Sequence, residues 1–148
     1  MKKLLLLSAF TTFLLNSCGG ADQNAASNIA LVEGYVKKGV SSMVSLVERI
    51  GHKHGIEFPM QMSLGISNGE SLYGFRYSSE GQSRSLFHSD RIEAIKDLAP
   101  KAGRFTIDTR ALVSEPVGEI KEAWIPIPES SFIEVNKREV IIEDLKLD

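Results

Sequence analysis

Hydrophobic positions along this chain follow two different spacings, and each predicts a different element. Within residues 28–50 they recur every three or four residues, which places them on one face of an amphipathic helix. The members of this apolar stripe are Ile29, Val32, Val36, Val40, Met43, Val47 and Ile50. Lys37 and Lys38 before Gly39 also suit the end of a helix, so two short helices meeting near Gly39 are the alternative.

From residue 56 the spacing becomes two, which predicts half-buried strands. Apolar side chains alternate with polar or small ones through residues 56–66, and Asn68-Gly69 then forms a strong hairpin signal. The returning strand, residues 72–78, carries Tyr73, Phe75 and Tyr77 on one side. Further strands are predicted near residues 85–88, 104–113, 119–127, 132–135 and 140–145, with a short helix at 90–99 that Pro100 ends.

This order of elements predicts the fold class. A helix, a hairpin, a second helix and further strands favour an α+β domain: an antiparallel sheet with an N-terminal amphipathic helix and a second short helix packed on it. The order is loosely similar to that of the small periplasmic sensor folds related to PAS domains. That likeness is one of element order only and carries no shared motif.

The first residues show a third pattern, a positive start followed by one apolar run. Lys2 and Lys3 precede the apolar residues 4–15. This run is shorter than the roughly 20 residues that span a bilayer, and its flanks are those of a removable export signal. The tetrapeptide Leu15-Asn16-Ser17-Cys18 that follows resembles the lipobox of bacterial lipoproteins.

The resemblance implies how the protein is processed and held. Residues 1–17 are the signal peptide, Cys18 becomes the acylated (palmitate-bearing) amino terminus, residues 18–27 form a flexible tether, and 28–148 form a single domain. Two acyl chains already anchor a protein stably. Gly19 stands where many inner-membrane lipoproteins have an aspartate. The expected location is therefore the cell envelope, at the outer membrane and facing the periplasm.

Composition narrows the classes of partner. Cys18 is the only cysteine, so the chain can form no intramolecular disulfide. Of its 17 basic residues, Lys2 and Lys3 leave with the signal peptide, and the remaining 15 face 19 acidic residues, a net charge of −4. This balance argues against nucleic acid as a partner. The predicted membrane contact is made by the acyl chains on Cys18.

Motifs with catalytic potential are weak in this chain. The run 65–69 fits G-x-S-x-G, the nucleophile elbow of serine hydrolases, but it leads into another strand, and no Asp lies between Ser67 and His88. His52, His54 and His88 with Asp90 could assemble a metal site, although a helix end is a natural place for solvated cationic side chains. We predict no catalytic residue, no metal and no cofactor, and hence no enzyme; a hydrolase is a distant third function.

Binding features remain, and they define two function classes. Trp124 and Ile125 lie in a strand that Pro126 and Pro128 mark as an edge, so they are candidates for partner contact, with a core position for Trp124 as the alternative. The first class is a lipid-anchored, non-catalytic interaction protein of accessory, exclusion, immunity or inhibitor type, with an envelope protein as partner. The second is a small-ligand-binding, sensor-like domain in which the aromatic row faces the ligand.

Overall fold

One helix and nine strands in two sheets make up the part of the chain that this computed structural model describes. Described are residues 6–7, 13–14, 23–90, 109–117, 121–136 and 139–148, with side chains from Gly34 onward. The elements in chain order are β1 (Leu6–Leu7), β2 (Phe13–Leu14), α1 (Gln23–Lys53), β3 (Gln61–Ser67), β4 (Leu72–Ser78), β5 (Phe87–Ser89), β6 (Ala111–Val113), a 3₁₀ turn (Lys121–Ala123), β7 (Trp124–Pro126), β8 (Ser131–Val135) and β9 (Val140–Asp144).

The strands form two sheets, where the sequence suggests one. The first has the order β1-β3-β4-β8-β9, and all its pairs are antiparallel except β1 with β3, which is parallel. The second has the order β2-β6-β5-β7 and is antiparallel throughout. The predicted mixture of helix and antiparallel sheet is confirmed. β5 pairs with β6 and with β7, both of which lie far from it in the sequence. These strands therefore form a separate sheet.

Helix α1 covers one face of the first sheet. Its side chains Val36, Val40, Val44 and Val47 pack against Met62, Tyr73, Phe75 and Phe132 of the strands. The helix runs through Gly39 without a break, so the alternative of two short helices is wrong. Two stripe members are exposed instead, Met43 at 38% and Ile50 at 49%, because Val44 takes the inward position. α1 also begins at Gln23, inside the segment predicted as a tether.

The predicted hairpin joins β3 to β4, but its turn differs from the expected type. Ser67 pairs with Leu72, which leaves a loop of residues 68–71. The side-chain Oδ1 of Asn68 accepts hydrogen bonds from the backbone N–H of Glu70 at 2.9 Å and of Ser71 at 2.7 Å. Within residues 68–71, Gly69 alone has a positive φ, of 92°. Asn68 therefore stabilises the loop through its side chain and does not adopt the left-handed conformation that a type I′ turn needs.

A second apolar cluster lies between the two sheets. Its members are Leu72, Leu86, Leu112, Ile127, Ile133 and Val135. Gly74 of β4 faces this cluster: a Cβ there would lie 2.5 Å from Cγ2 of Ile133, its partner on β8 of the same sheet, and 3.3 Å from Cδ1 of Leu112 in the second sheet. The fold is thus three layers, with α1 on one face of the first sheet and the second sheet on the other.

The other predicted elements match the structure to different degrees. Strand β4 has the predicted bounds, and β8 and β9 pair as expected. β6 and β7 occupy only part of the strands predicted at 104–113 and 119–127, of which residues 104–108 and 119–120 lie outside the described residues. The predicted helix at 90–99 falls almost wholly outside the described residues. Within the described part, the helix lacks the long apolar stretch needed to cross a membrane.

Candidate interaction surface

Strand β7 carries the two residues that the sequence singles out for partner contact, and they face opposite ways. Trp124 is 4% exposed, packs with Ala111 and Val113, and donates a hydrogen bond from Nε1 to the carbonyl oxygen of Val117 at 2.9 Å. Ile125 is 38% exposed. Successive side chains in a strand point to opposite faces. Trp124 therefore holds β7 in place from within, and Ile125 is the member of the pair that a partner can reach.

The aromatic row of β4 is closed beneath α1. Tyr73 and Phe75 are fully buried, and both contact Phe132, with ring centroids 6.3 Å and 5.1 Å away. Tyr77, the third member, is half-buried. These rings belong to the core between helix and sheet.

A carboxylate on α1 holds the outer end of this row. Glu48 Oε1 accepts hydrogen bonds from the Tyr77 hydroxyl at 2.7 Å and from the Ser79 hydroxyl at 2.5 Å, and His52 Nε2 lies 3.1 Å from Glu48 Oε2. Burial and the neighbouring Glu48 raise the pKa of Tyr77 above its ordinary value, so the phenol stays protonated and keeps donating. The cluster fastens the helix to β4.

An arginine next to Tyr77, at the same end of β4, fastens the neighbouring loops. Arg76 donates from Nε to the Ser83 hydroxyl at 2.9 Å and from Nη1 to the Ile127 carbonyl, and Nη2 lies 3.5 Å from Glu129 Oε2. The same Glu129 oxygen accepts from the backbone N–H and the hydroxyl of Ser83, at 2.9 Å and 2.6 Å. This arrangement engages both charges in holding loops together.

One further buried carboxylate lies on the α1 side of β8. Glu134 accepts a hydrogen bond at Oε1 from the Ser71 hydroxyl at 3.0 Å, while Oε2 has no hydrogen-bond partner among the described residues. It stands opposite Tyr73 in the register of β4 and β8. Its hydrogen bond joins the end of the β3–β4 loop to β8.

The second sheet contains a buried histidine. His88 of β5 is 4% exposed, and burial lowers the pKa of its imidazole below 6.5, while Asp90 opposes this change and Arg110 adds to it. The next residue, Ser89, accepts a hydrogen bond at its hydroxyl oxygen from the Ala111 N–H at 2.9 Å. His88 is therefore a neutral packing residue near neutral pH, at the register position opposite Ile125.

The candidate nucleophile and the candidate metal ligands lie apart from one another. Ser67 accepts a hydrogen bond from the Gly69 N–H at 3.2 Å within the hairpin loop, His54 is exposed at the end of α1, and His88 belongs to the other sheet. The described ranges contain no group of three or more His, Cys, Asp or Glu that could hold a metal ion. Cys18 lies outside the described residues, so its lipidation stays a prediction.

Comparisons with known proteins give a fold relationship. Neither a protein-family model nor a curated protein matches this chain. Solved structures do match, among them one described as a glutamine aminotransferase class-II domain protein from Silicibacter pomeroyi, with a TM-score of 0.58 and 21% sequence identity. The match covers 86% of this chain and 52% of that one. A likeness at this identity shows a shared fold, and this chain spans about half the length of the relative.

Proposed function

We propose that the protein is a lipid-anchored, non-catalytic binding protein of the cell envelope, held through acyl chains on Cys18 at the outer membrane and facing the periplasm. Its predicted partner is an envelope protein. The predicted fold of residues 28–148, an N-terminal amphipathic helix and a second short helix packed on a sheet, is part of the same proposal.

The observation that carries this proposal is that three half-buried charged side chains hold the structure together. Arg76, Glu48 and Glu129 make hydrogen bonds that join loops or join helix to strand. Side chains tied in this way support a rigid surface. The reachable part of that surface at β7 is Ile125, which Trp124 supports from within, and the closed aromatic row favours protein binding over a sensor's ligand site.

The anchoring is tested by changing Cys18 to Ser in the full chain, with Ser17→Ala as the matched control that keeps a small residue at the cleavage point. We expect the wild type and the control to incorporate labelled palmitate and to partition into detergent, and Cys18→Ser to do neither. A wild-type chain that is soluble and reacts with a thiol reagent after processing would contradict the proposal.

The binding role is tested at the edge. Ile125→Asp and Val140→Asp change two side chains of equal exposure, 38% each, on the edge strands β7 and β9. We expect Ile125→Asp to reduce in-cell cross-linking to the envelope partner and Val140→Asp to leave it unchanged, with both proteins folded by circular dichroism. Equal loss in both variants would remove Ile125 as the contact.

A second candidate function comes from the fold relationship. A solved protein of the same fold is named a glutamine aminotransferase class-II domain protein, and this chain covers 52% of it. The corresponding role would be one part of a glutamine-using enzyme. Release of glutamate from glutamine by the purified protein, at a rate proportional to protein concentration, would favour this second function over the first.

A further inference from the structure

On one side, each sheet ends in a strand of only two residues, β1 in the first sheet and β2 in the second. β1 pairs with β3 only at Gln61 and Met62, so residues 63–67 of β3 have no strand on their outer side within the described structure. β2 pairs with β6 at Ala111 and Leu112 and also contacts β3, which places the β3 and β6 edges next to each other. We call this the β3–β6 side.

β3 lacks the features that keep sheet edges from pairing, and β6, which is as short as β7, lacks a charge and a proline. Edge strands are usually protected by charged residues, prolines or short length. β3 is seven residues long and reads Gln-Met-Ser-Leu-Gly-Ile-Ser, and β6 reads Ala-Leu-Val, so neither strand contains a charge or a proline. The opposite edges are protected, because β9 contains Glu143 and Asp144, and β7 is three residues long and contains Pro126.

The segments seated on this side indicate what it accepts. They are Leu6–Leu7 and Phe13–Leu14, both from the apolar, uncharged run 4–15. Both segments belong to residues 1–17, so the lipoprotein processing proposed above, on which this inference rests, removes both strands. Among the described residues of the processed chain, no strand then pairs with either edge.

We infer that the β3–β6 side of the processed chain accepts extended, apolar and uncharged segments of a separate partner polypeptide by β-strand addition, one against β3 and one against β6. The seated strands run in different senses, β1 parallel to β3 and β2 antiparallel to β6. A second copy related by a two-fold axis normal to the sheets would pair antiparallel in both, so we assign the side to a different polypeptide.

The test uses the processed, acylated chain purified in detergent and a fluorescent synthetic peptide of residues 4–15 with a soluble tail as the probe. We expect saturable binding, with slower hydrogen exchange of β3 and β6 amides in the complex. Ser63→Lys or Gln61→Lys places on β3 the charge that protects other edges, and either should weaken binding by about tenfold or more. Ile142→Lys, on the exposed β9 edge, is the matched control and should bind as wild type does.

Each alternative outcome has a distinct reading. The intact mass reports processing separately from binding: an unprocessed chain refutes the lipoprotein proposal, and a processed, folded chain that does not bind the peptide refutes this one. Equal weakening by Ile142→Lys, or a concentration-dependent dimer that the β3 variants abolish, would also overturn it. In cells, a photo-cross-linking residue at position 63 should capture a partner polypeptide and one at position 140 should not; capture of the chain itself at 63 would contradict the inference.

Discussion

The two sides of the paired sheets differ in how their edges are protected. On one side, β9 ends in Glu143 and Asp144, with most of its side chains exposed, and β7 ends at Pro126. On the other side, β3 and β6 contain neither charge nor proline. Both sides face the same risk of unwanted pairing, and only one of them is protected against it by charge or proline. Because unprotected edges pair readily, an edge without charge or proline is best explained by a segment that binds there.

The largest effect is expected when the tryptophan that holds edge strand β7 in place is removed. Trp124→Ala removes a buried ring and leaves the Val117 carbonyl without its donor, so we expect a loss of about 3–5 kcal/mol in the free energy of unfolding. Ile125→Ala, next to it and exposed, should cost less than about 1 kcal/mol. Denaturant unfolding measures both, and hydrogen exchange should show β5–β7 loosened more than β3. Equal losses in the two variants would mean that Trp124 does not anchor β7.

A smaller effect is expected at Gly74, which faces the apolar cluster between the two sheets. Gly74→Ala brings a Cβ to within 2.5 Å of Cγ2 of Ile133, and we expect it to cost about 1–3 kcal/mol by overpacking between the sheets. Gly39→Ala is the matched control, since no heavy atom lies within 4 Å of a Cβ there, and in a helix the change should stabilise by up to about 1 kcal/mol. A stabilising Gly74→Ala would contradict the tight packing around Gly74.

Local sequence signals predict the elements of the first sheet well. Period-two alternation and Asn68-Gly69 locate the β3–β4 hairpin, and β4 has the predicted bounds, because neighbouring residues decide both features. The second sheet could not be found in this way. Its pairs join β5 to β6 and β7 across more than twenty residues, and no local pattern encodes that pairing.

The candidate surfaces show the same limit. The prolines identify β7 as an edge, yet whether Trp124 or Ile125 points outward depends on register with β5. The uncharged sequence of β3 can be read directly from the chain. Its meaning appears only when the topology shows that β1 covers β3 at Gln61 and Met62 alone, because an uncharged strand is ordinary in the middle of a sheet.

The stability of the second sheet should depend on pH through His88 of β5, the strand that pairs with β7. Burial lowers the pKa of His88 below 6.5, so below that pH the unfolded chain binds a proton that the folded chain refuses. The free energy of unfolding should therefore fall as the pH drops below 6.5, by at most about 1.4 kcal/mol per pH unit, and this contribution is absent above it. His88→Gln should reduce that slope, whereas His54→Gln, at an exposed position, should not. Melting temperatures between pH 8 and pH 5 measure it, and parallel curves for wild type and His88→Gln would refute the effect.

The smallest expected effect concerns the ion pair that fastens the protected edge to the helix. Lys37 of α1 pairs with Glu143 of β9, and its ammonium lies 5.1 Å from the ring centroid of Phe132. The hydrogen bond from Lys37 lowers the pKa of Glu143, so the stability from this pair is present above pH 4.5 and is lost as the pH falls further. Because the pair is exposed to solvent, Lys37→Gln should cost less than about 1 kcal/mol and should cost still less in high salt. Lys38→Gln, one residue along the helix and exposed, is the control for helix propensity. If Lys37→Gln loosened β3 amides as much as β9 amides in hydrogen exchange, the two edges would not be held independently, and the contrast between the two sides would fail.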